Sequence, residues 1–196
     1  MTQKKVFTIV TPTYSGREDL LNRAIESVDD QIHSEWEHLI VSDGVLDNPP
    51  TETSSRRRVI TLPDPYNDSG NTPRSIGLEQ ADSDYVLFLD DDNVIFPNYL
   101  SRVEEAFTQQ QEKDAVICSI WHFGPLPSSF GSPPQRLTGN PPVLQNIDTL
   151  QFTARTHLMK EHGWFNMGYL ADGYTIESYT RNHSYSVIPD VLGLHL

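Results

Sequence analysis

The sequence predicts an α/β fold, a single domain with a mostly parallel central sheet flanked by helices, and three observations predict it. Short apolar runs rich in β-branched residues alternate with stretches whose apolar positions recur every three or four residues. The apolar runs are nearly continuous, as strands covered on both faces require. Polar and turn-forming residues collect just after these runs, at the carboxyl ends where such sheets bind ligands.

Val6 to Val10 reads as the first strand, running into the loop Thr11-Pro12-Thr13-Tyr14. From Arg17 onward, Leu20, Leu21, Ala24, Ile25 and Val28 mark an amphipathic helix that Ser15 or Gly16 would cap. His38 to Ser42 is a second strand ending at the turn Asp43-Gly44, and Val59 to Leu62 a third. After a loop rich in Asn, Asp, Pro and Gly, Ile76, Leu78, Glu79 and Ala81 indicate a short helix. Tyr85 to Leu89 then forms a strand leading straight into Asp90-Asp91-Asp92-Asn93. Tyr99 to Gln111 is helical and Ala115 to Trp121 a strand, and the proline-rich stretch Gly124 to Pro142 reads as an irregular loop. Beyond it the pattern predicts a strand over Thr149 to Thr153, a helix over Thr156 to His162 stopped by Gly163, and a helix over Ile176 to Asn182.

A chain of 196 residues that is 37% apolar and 10% aromatic can bury one core, so residues 1–196 are expected to be one domain. No run approaches the roughly 18 to 20 apolar residues that span a bilayer, and Met1 to Lys5 leads directly into a strand, which favours a cytoplasmic protein without a transmembrane segment. The net charge of −13 argues against binding nucleic acid. The basic cluster Arg56 to Arg58 reads as a solvated loop before the strand Val59 to Leu62, with approach to a diphosphate as the alternative. Cys118, the single cysteine, has an apolar flank and reads as a buried strand thiol.

Three consecutive aspartates after an apolar strand repel one another when ionised, so their charge needs compensation. A hard divalent cation would supply it, completing its shell with water and substrate phosphates. A solvated acidic turn is the plainer alternative, since Asn93 is a turn former.

These residues together carry a resemblance. Val10-Thr11-Pro12-Thr13-Tyr14, Val41-Ser42-Asp43-Gly44, Thr72-Pro73-Arg74-Ser75-Ile76-Gly77-Leu78 and Asp90-Asp91-Asp92-Asn93 resemble the motifs of the inverting glycosyltransferases of family 2, which have the GT-A (Rossmann-like) fold. The resemblance implies a metal-dependent enzyme that moves a sugar from a nucleotide-diphosphate donor, a UDP-sugar first among them, to a hydroxyl acceptor such as a glycan, lipid or polysaccharide precursor. Residues 1–93 would be the nucleotide-binding half and 94–196 the acceptor-binding half. Thr11, Pro12, Thr13 and Tyr14 would lie beside the base, Asp43 would accept from base or ribose, and Arg74, Asp90 and Asp91 would complete the nucleotide site. Asp92, with Asp90 and His195 in Gly193-Leu194-His195-Leu196, would hold Mn²⁺ or Mg²⁺.

Inversion needs a base for the acceptor hydroxyl. The Gly-rich aromatic lead-in Gly163-Trp164-Phe165-Asn166-Met167-Gly168-Tyr169 resembles the one that precedes the family's base and points to Asp172, although Ala171 stands where the family commonly has glutamate, and Glu177 is the second candidate. Asp172 is expected in a loop-like segment and Glu177 on a helix. Trp121, His122 and Trp164 would wall an acceptor cleft or pack in the core. Two other readings stand beside the enzyme: a sugar-nucleotide or carbohydrate-binding protein without turnover, and a metal-dependent nucleotidyltransferase. The second is disfavoured because Thr11 to Gly16 holds one glycine and no lysine. A homo-oligomer is compatible with the sequence and not required by it.

Overall fold

The structure, a computed structural model, describes residues 5–50, 56–124 and 132–196. Its strands are β1 (Phe7–Thr13), β2 (Trp36–Ser42), β3 (Arg57–Thr61), β4 (Tyr85–Phe88), β5 (Val94–Ile95), β6 (Ala115–His122), β7 (Gln135–Leu137), β8 (Phe152–Arg155) and β9 (Tyr185–His195). The helices are α1 (Glu18–Asp29), α2 (Asn71–Gln80), α3 (Tyr99–Gln109), α4 (Thr156–His162) and α5 (Ala171–Asn182). All nine strands join one sheet in the order β3-β2-β1-β4-β8-β6-β9-β5, with β7 paired to β6.

Side chains alternate across a strand, and here the alternation sorts them into two cores. Ile9, Leu87, Val116, Cys118 and Ile120 face Ala24 and Val28 of α1 and Leu100, Val103 and Phe107 of α3. Their sequence neighbours Val10, Val86, Phe88, Ala115 and Ile117 face Leu78 of α2, Met159 of α4 and Ile176 and Tyr179 of α5. The near-continuous apolar runs thus pack helices on both faces, as predicted. At Gly77 the second layer comes so close that a Cβ there would lie 2.3 Å from Val10 Cγ1, so α2 can seat on β1 only without a side chain at that position.

The sheet is parallel along β3-β2-β1-β4 and again between β6 and β9. Between these stretches β8 runs antiparallel to both β4 and β6. The chain leaves β6, crosses the proline-rich region and returns through a turn, so its next strand enters from the opposite end. That turn is the 3-10 segment Thr149–Gln151, which replaces most of the strand expected over Thr149 to Thr153. Asp148 nucleates it as a capping box, accepting from Leu150 N at 2.9 Å while Gln151 Oε1 accepts from Asp148 N at 3.1 Å.

Other expectations change in the same way. α1 has no side-chain cap, because Ser15 Oγ donates to Asp47 Oδ2 at 2.5 Å and Arg17 occupies the cap position. Arg57 and Arg58 belong to β3 rather than to a loop; buried Arg57 pairs with Asp29 at 2.6 Å, and Arg56 lies over the Trp36 ring. Within the proline-rich stretch, Gln135–Leu137 pairs with β6, while residues 125–131 lie outside the described ones. Cys118 is fully buried, and burial pushes its thiol up to about 12. No helix among the described residues is long and apolar enough to cross a membrane.

Candidate functional site

The parallel strands β1, β2 and β4 end on the same side, and their loops open onto a cleft of about 710 Å³. Pro12, Thr13, Tyr14, Asp43, Arg74 and Asp90 to Asp92 line one part of it; Asp148, Asp172 and His195, from the later half of the chain, line the rest.

The three aspartates meet three different environments. Asp91 is buried, taking a 2.8 Å bond from Thr13 Oγ1 and two 2.9 Å bonds from Arg17 Nε. Asp92 faces the cleft, with Arg17 Nη2 at 2.6 Å from its Oδ2. These carboxylates raise the Arg17 pKa against the lowering effect of its own partial burial, so the guanidinium holds its charge. Asp90 pairs with Arg74, whose Nη1 also donates to Ser69 O at 2.8 Å. Burial pushes the Asp90 carboxyl above its ordinary range and Arg74 opposes the push. The repulsion inherent in the run is therefore met by two arginines, of which Arg17 was not among the sequence candidates. Its position at the start of α1, one loop away in sequence but beside β4 in space, gave no local signal.

Asp43 lines the cleft, and both its oxygens accept backbone N–H groups, from Tyr66 and Asn67, at 2.8 Å each. It organises the 64–70 loop whatever else it binds. Tyr14 is half exposed at the rim, with the Arg17 guanidinium 5.3 Å from its ring centre. Thr11 does not line the cleft; it is buried and bonded to His38 Nε2 at 2.8 Å.

Asp172 and Glu177 both lie on α5, contrary to the loop expected for Asp172. They part by function of place. Asp172 sits in the first turn facing the cleft, and burial, followed by the charge of Asp148, pushes its carboxyl up to about 7. Glu177, a turn and a half on, accepts from Leu144 N at 2.9 Å, pairs with Arg181 and does not line the cleft. The loop ahead of α5 is tied to the start of α2: Trp164 Nε1 donates to Asn71 Oδ1 at 3.0 Å, and Asn71 Nδ2 donates to Gly168 O at 3.0 Å. Trp164 is buried against Phe88, whereas Trp121 is exposed and does not line the cleft.

His195 reaches the cleft because β9 runs parallel to β6, a strand that the interrupting Pro189, Asp190 and Gly193 hid from the periodicity. Its ring stacks on His122 with centres 4.0 Å apart, and its Nδ1 lies 2.9 Å from Asp148 Oδ2. Burial would lower the His195 pKa, but the carboxylates of Asp148, Asp90 and Asp92 raise it further, to about 9. His122 is held below its ordinary value by burial and by the His195 charge. Asp148 went unrecognised because the segment that follows it reads as a strand, and no motif surrounds it.

The family model for glycosyl transferase family 2 matches residues 8–170. The succinoglycan biosynthesis protein ExoW of Rhizobium meliloti (strain 1021) is 28% identical over 151 residues, 70% of this chain and 47% of that protein. A GalNAc(5)-diNAcBac-PP-undecaprenol beta-1,3-glucosyltransferase of Campylobacter jejuni is 32% identical over 132 residues, 63% of this chain and 41% of that protein. The chain spans less than half the length of both. Among solved structures, S. aureus TarS superposes with a TM-score of 0.74 at 21% identity, covering 97% of this chain and 36% of that one. The mannosyltransferase PcManGT from Pyrobaculum calidifontis, in complex with GDP-Man and Mn²⁺, gives 0.72 at 13% identity, covering 99% and 57%. These likenesses establish the fold as the GT-A type.

Proposed function

The chain belongs to glycosyl transferase family 2, and from that premise we propose that it is a metal-dependent inverting glycosyltransferase that moves a sugar from a nucleotide-diphosphate donor to a hydroxyl acceptor on a glycan, lipid or polysaccharide precursor. One observation carries the reading: Asp90 to Asp92 and Arg74 face, across a single cleft, a carboxylate whose pKa is tuned to about 7.

In this reading residues 1–93 bind the nucleotide and 94–196 supply the acceptor side. Tyr14 and Asp43 flank the base, and Arg74 meets a diphosphate oxygen with its forked donors. Asp92 and Asp90, with His195, offer ligands suited to Mn²⁺ or Mg²⁺, and an ion there would share the counter-charge that Arg17 and Arg74 supply to the run. The bound ion would neutralise charge on the departing nucleotide diphosphate. Asp172 is the base: it takes the acceptor hydroxyl proton as the oxygen bonds to the anomeric carbon, and the electron pair of the breaking bond leaves on the diphosphate. A base with a pKa near 7 combines ionisation at neutral pH with real proton affinity.

The neighbours support a nucleotide ligand without choosing its base, since TarS has been solved with UDP and with UDP-GlcNAc and PcManGT with GDP-Man. The test is calorimetric titration of UDP, GDP, CDP and dTDP with and without Mn²⁺ or Mg²⁺, on the wild type and on Asp92→Ala. Metal-dependent binding of one nucleotide, abolished by the substitution, is expected; no binding of any would overturn the reading.

A further inference from the structure

The two ends of the cleft differ in charge. Six aspartates line it among the described residues, against two arginines and no lysine. Both arginines come from residues 1–93 and both are paired, Arg17 with Asp91 and Asp92, Arg74 with Asp90. From residues 94–196 the lining receives Asp148 and Asp172 and neither lysine nor arginine. Residues 125–131, outside the described ones, contain none either. The His195 ring is already paired with Asp148 at 2.9 Å. A phosphate or carboxylate is ordinarily held by arginine or lysine, and one brought beside Asp172 would meet like charge instead.

That end offers apolar and neutral polar surface. Tyr169, three residues ahead of Asp172, lines the cleft and is 85% exposed. It belongs to the 3-10 turn Gly168–Leu170, none of whose residues is buried. The turn is anchored at Gly168, which takes a φ of 68° and accepts from Asn71 Nδ2 at 3.0 Å. Leu144 and Gln145 line the same cleft. Leu144 is seated on α5: its N–H donates to Glu177 Oε2 at 2.9 Å, and a Cβ at Gly173 would lie 2.5 Å from Leu144 Cδ1. Gln145 follows with a φ of 71°, a conformation costly for any residue but glycine and found most often where a site needs it. Its exposed amide has both donors and an acceptor to give.

Resting on the glycosyl-transfer reading, we propose that the acceptor group is an uncharged pyranose, stacked on the Tyr169 ring and hydrogen-bonded by Gln145, with one hydroxyl turned to Asp172. Sugars bearing a phosphate or a carboxylate are refused. A pyranose matches both kinds of surface: its C–H bonds form an apolar face that fits an aromatic ring, and its rim of hydroxyls pairs with neutral amides. Glu177, which does not line the cleft, serves here by fixing residues 144 and 145 against α5.

The test is saturation-transfer NMR on the full chain with the methyl glycosides of glucose, galactose, mannose and N-acetylglucosamine, set against glucose 6-phosphate and methyl glucuronide. Spectra are taken with Mn²⁺ and each of UDP, GDP, CDP and dTDP in turn, and again without nucleotide. At least one neutral glycoside should receive saturation at its ring protons, and neither charged sugar should. Its affinity should fall roughly three- to tenfold in Tyr169→Ala, as loss of an aromatic contact implies, and survive in Tyr169→Phe. Neither change threatens folding, because the side chain is so exposed. No saturation of any neutral glycoside in any state, equal saturation of the charged sugars, or unchanged affinity in Tyr169→Ala would overturn the proposal. Nucleotide binding without glycoside binding sinks this inference alone. Glycoside binding without nucleotide binding keeps the saccharide site and sinks the donor reading.

Discussion

Arg17 Nη2 lies 2.6 Å from Asp92 Oδ2 and also 2.7 Å from Asp91 Oδ1, so one guanidinium balances two of the three carboxylates of the run. A cation arriving at Asp92 must therefore compete with Arg17. In Arg17→Met, the metal-free protein should lose about 1–3 kcal/mol, because Asp91 stays buried without its charged donor. Added Mn²⁺ should raise its melting temperature more than it raises that of the wild type. Equal shifts in the two proteins would remove Arg17 from any part in metal binding.

Asp172 and Glu177 share a helix but not a role. Asp172→Asn should lower kcat by roughly 10²- to 10⁴-fold, the usual contribution of a general base, with nucleotide affinity intact. Glu177→Gln should change kcat by far less. Steady-state kinetics with the best donor distinguish the two, and a larger loss in Glu177→Gln would reverse the assignment.

The raised pKa of Asp172 also sets pH dependence in two directions. Activity requires the carboxylate, so kcat/KM should climb through about pH 7 and then level off. Stability should run the opposite way. Between its ordinary value of 3.8 and about 7, folded Asp172 keeps a proton that the unfolded chain has released, so this group costs stability as pH rises across that interval. Asp172→Asn should therefore melt above the wild type at pH 8 and show little such gain at pH 4. Parallel melting curves at the two pH values would show that the carboxyl is not shifted.

His195 contributes with the reverse sign. Its pKa is raised to about 9, so its stabilisation is complete below pH 6.5 and is lost as pH rises through about 9. The difference in melting temperature between wild type and His195→Gln should accordingly be largest near pH 6 and shrink by pH 10, measured in the presence of a chelator. A difference that does not vary with pH would place the effect of the substitution in packing.

Gly77→Ala should destabilise by about 1–3 kcal/mol through overpacking, since the new methyl falls onto Val10. Val10→Ala should restore part of that loss in the double variant, read as a non-additive denaturation midpoint. Simple additivity would mean that α2 shifts to make room.

Much of this was legible in the sequence where chemistry and periodicity are local. The strands around Val10, Val41 and Leu87 are short apolar runs, and each is followed within a few residues by side chains of the cleft. α4 runs from Thr156 to His162 as read, because Gly163 ends it. What escaped depended on contacts between distant segments. β9 is broken by Pro189 and Gly193 and is a strand only because β6 offers it a partner, with shifts of register along the way. Arg17 acquires its meaning from carboxylates 74 and 75 residues away. Asp148 stands next to what reads as a strand, and it becomes part of the cleft only when the 3-10 turn it caps and β9, carrying His195, come together.

The antiparallel strand β8 is the one element that bonds β4 on one side and β6 on the other. Until residues 152–155 leave the ribosome, the growing chain holds two sheet fragments, each with a bare backbone edge and with apolar side chains such as Val86 and Phe88 beside it. Bare edges of this kind invite pairing with other chains. The keystone of the sheet is thus synthesised after both fragments that it joins, and the nascent protein needs protection until β8 links them and β9 follows to pair β6 with β5.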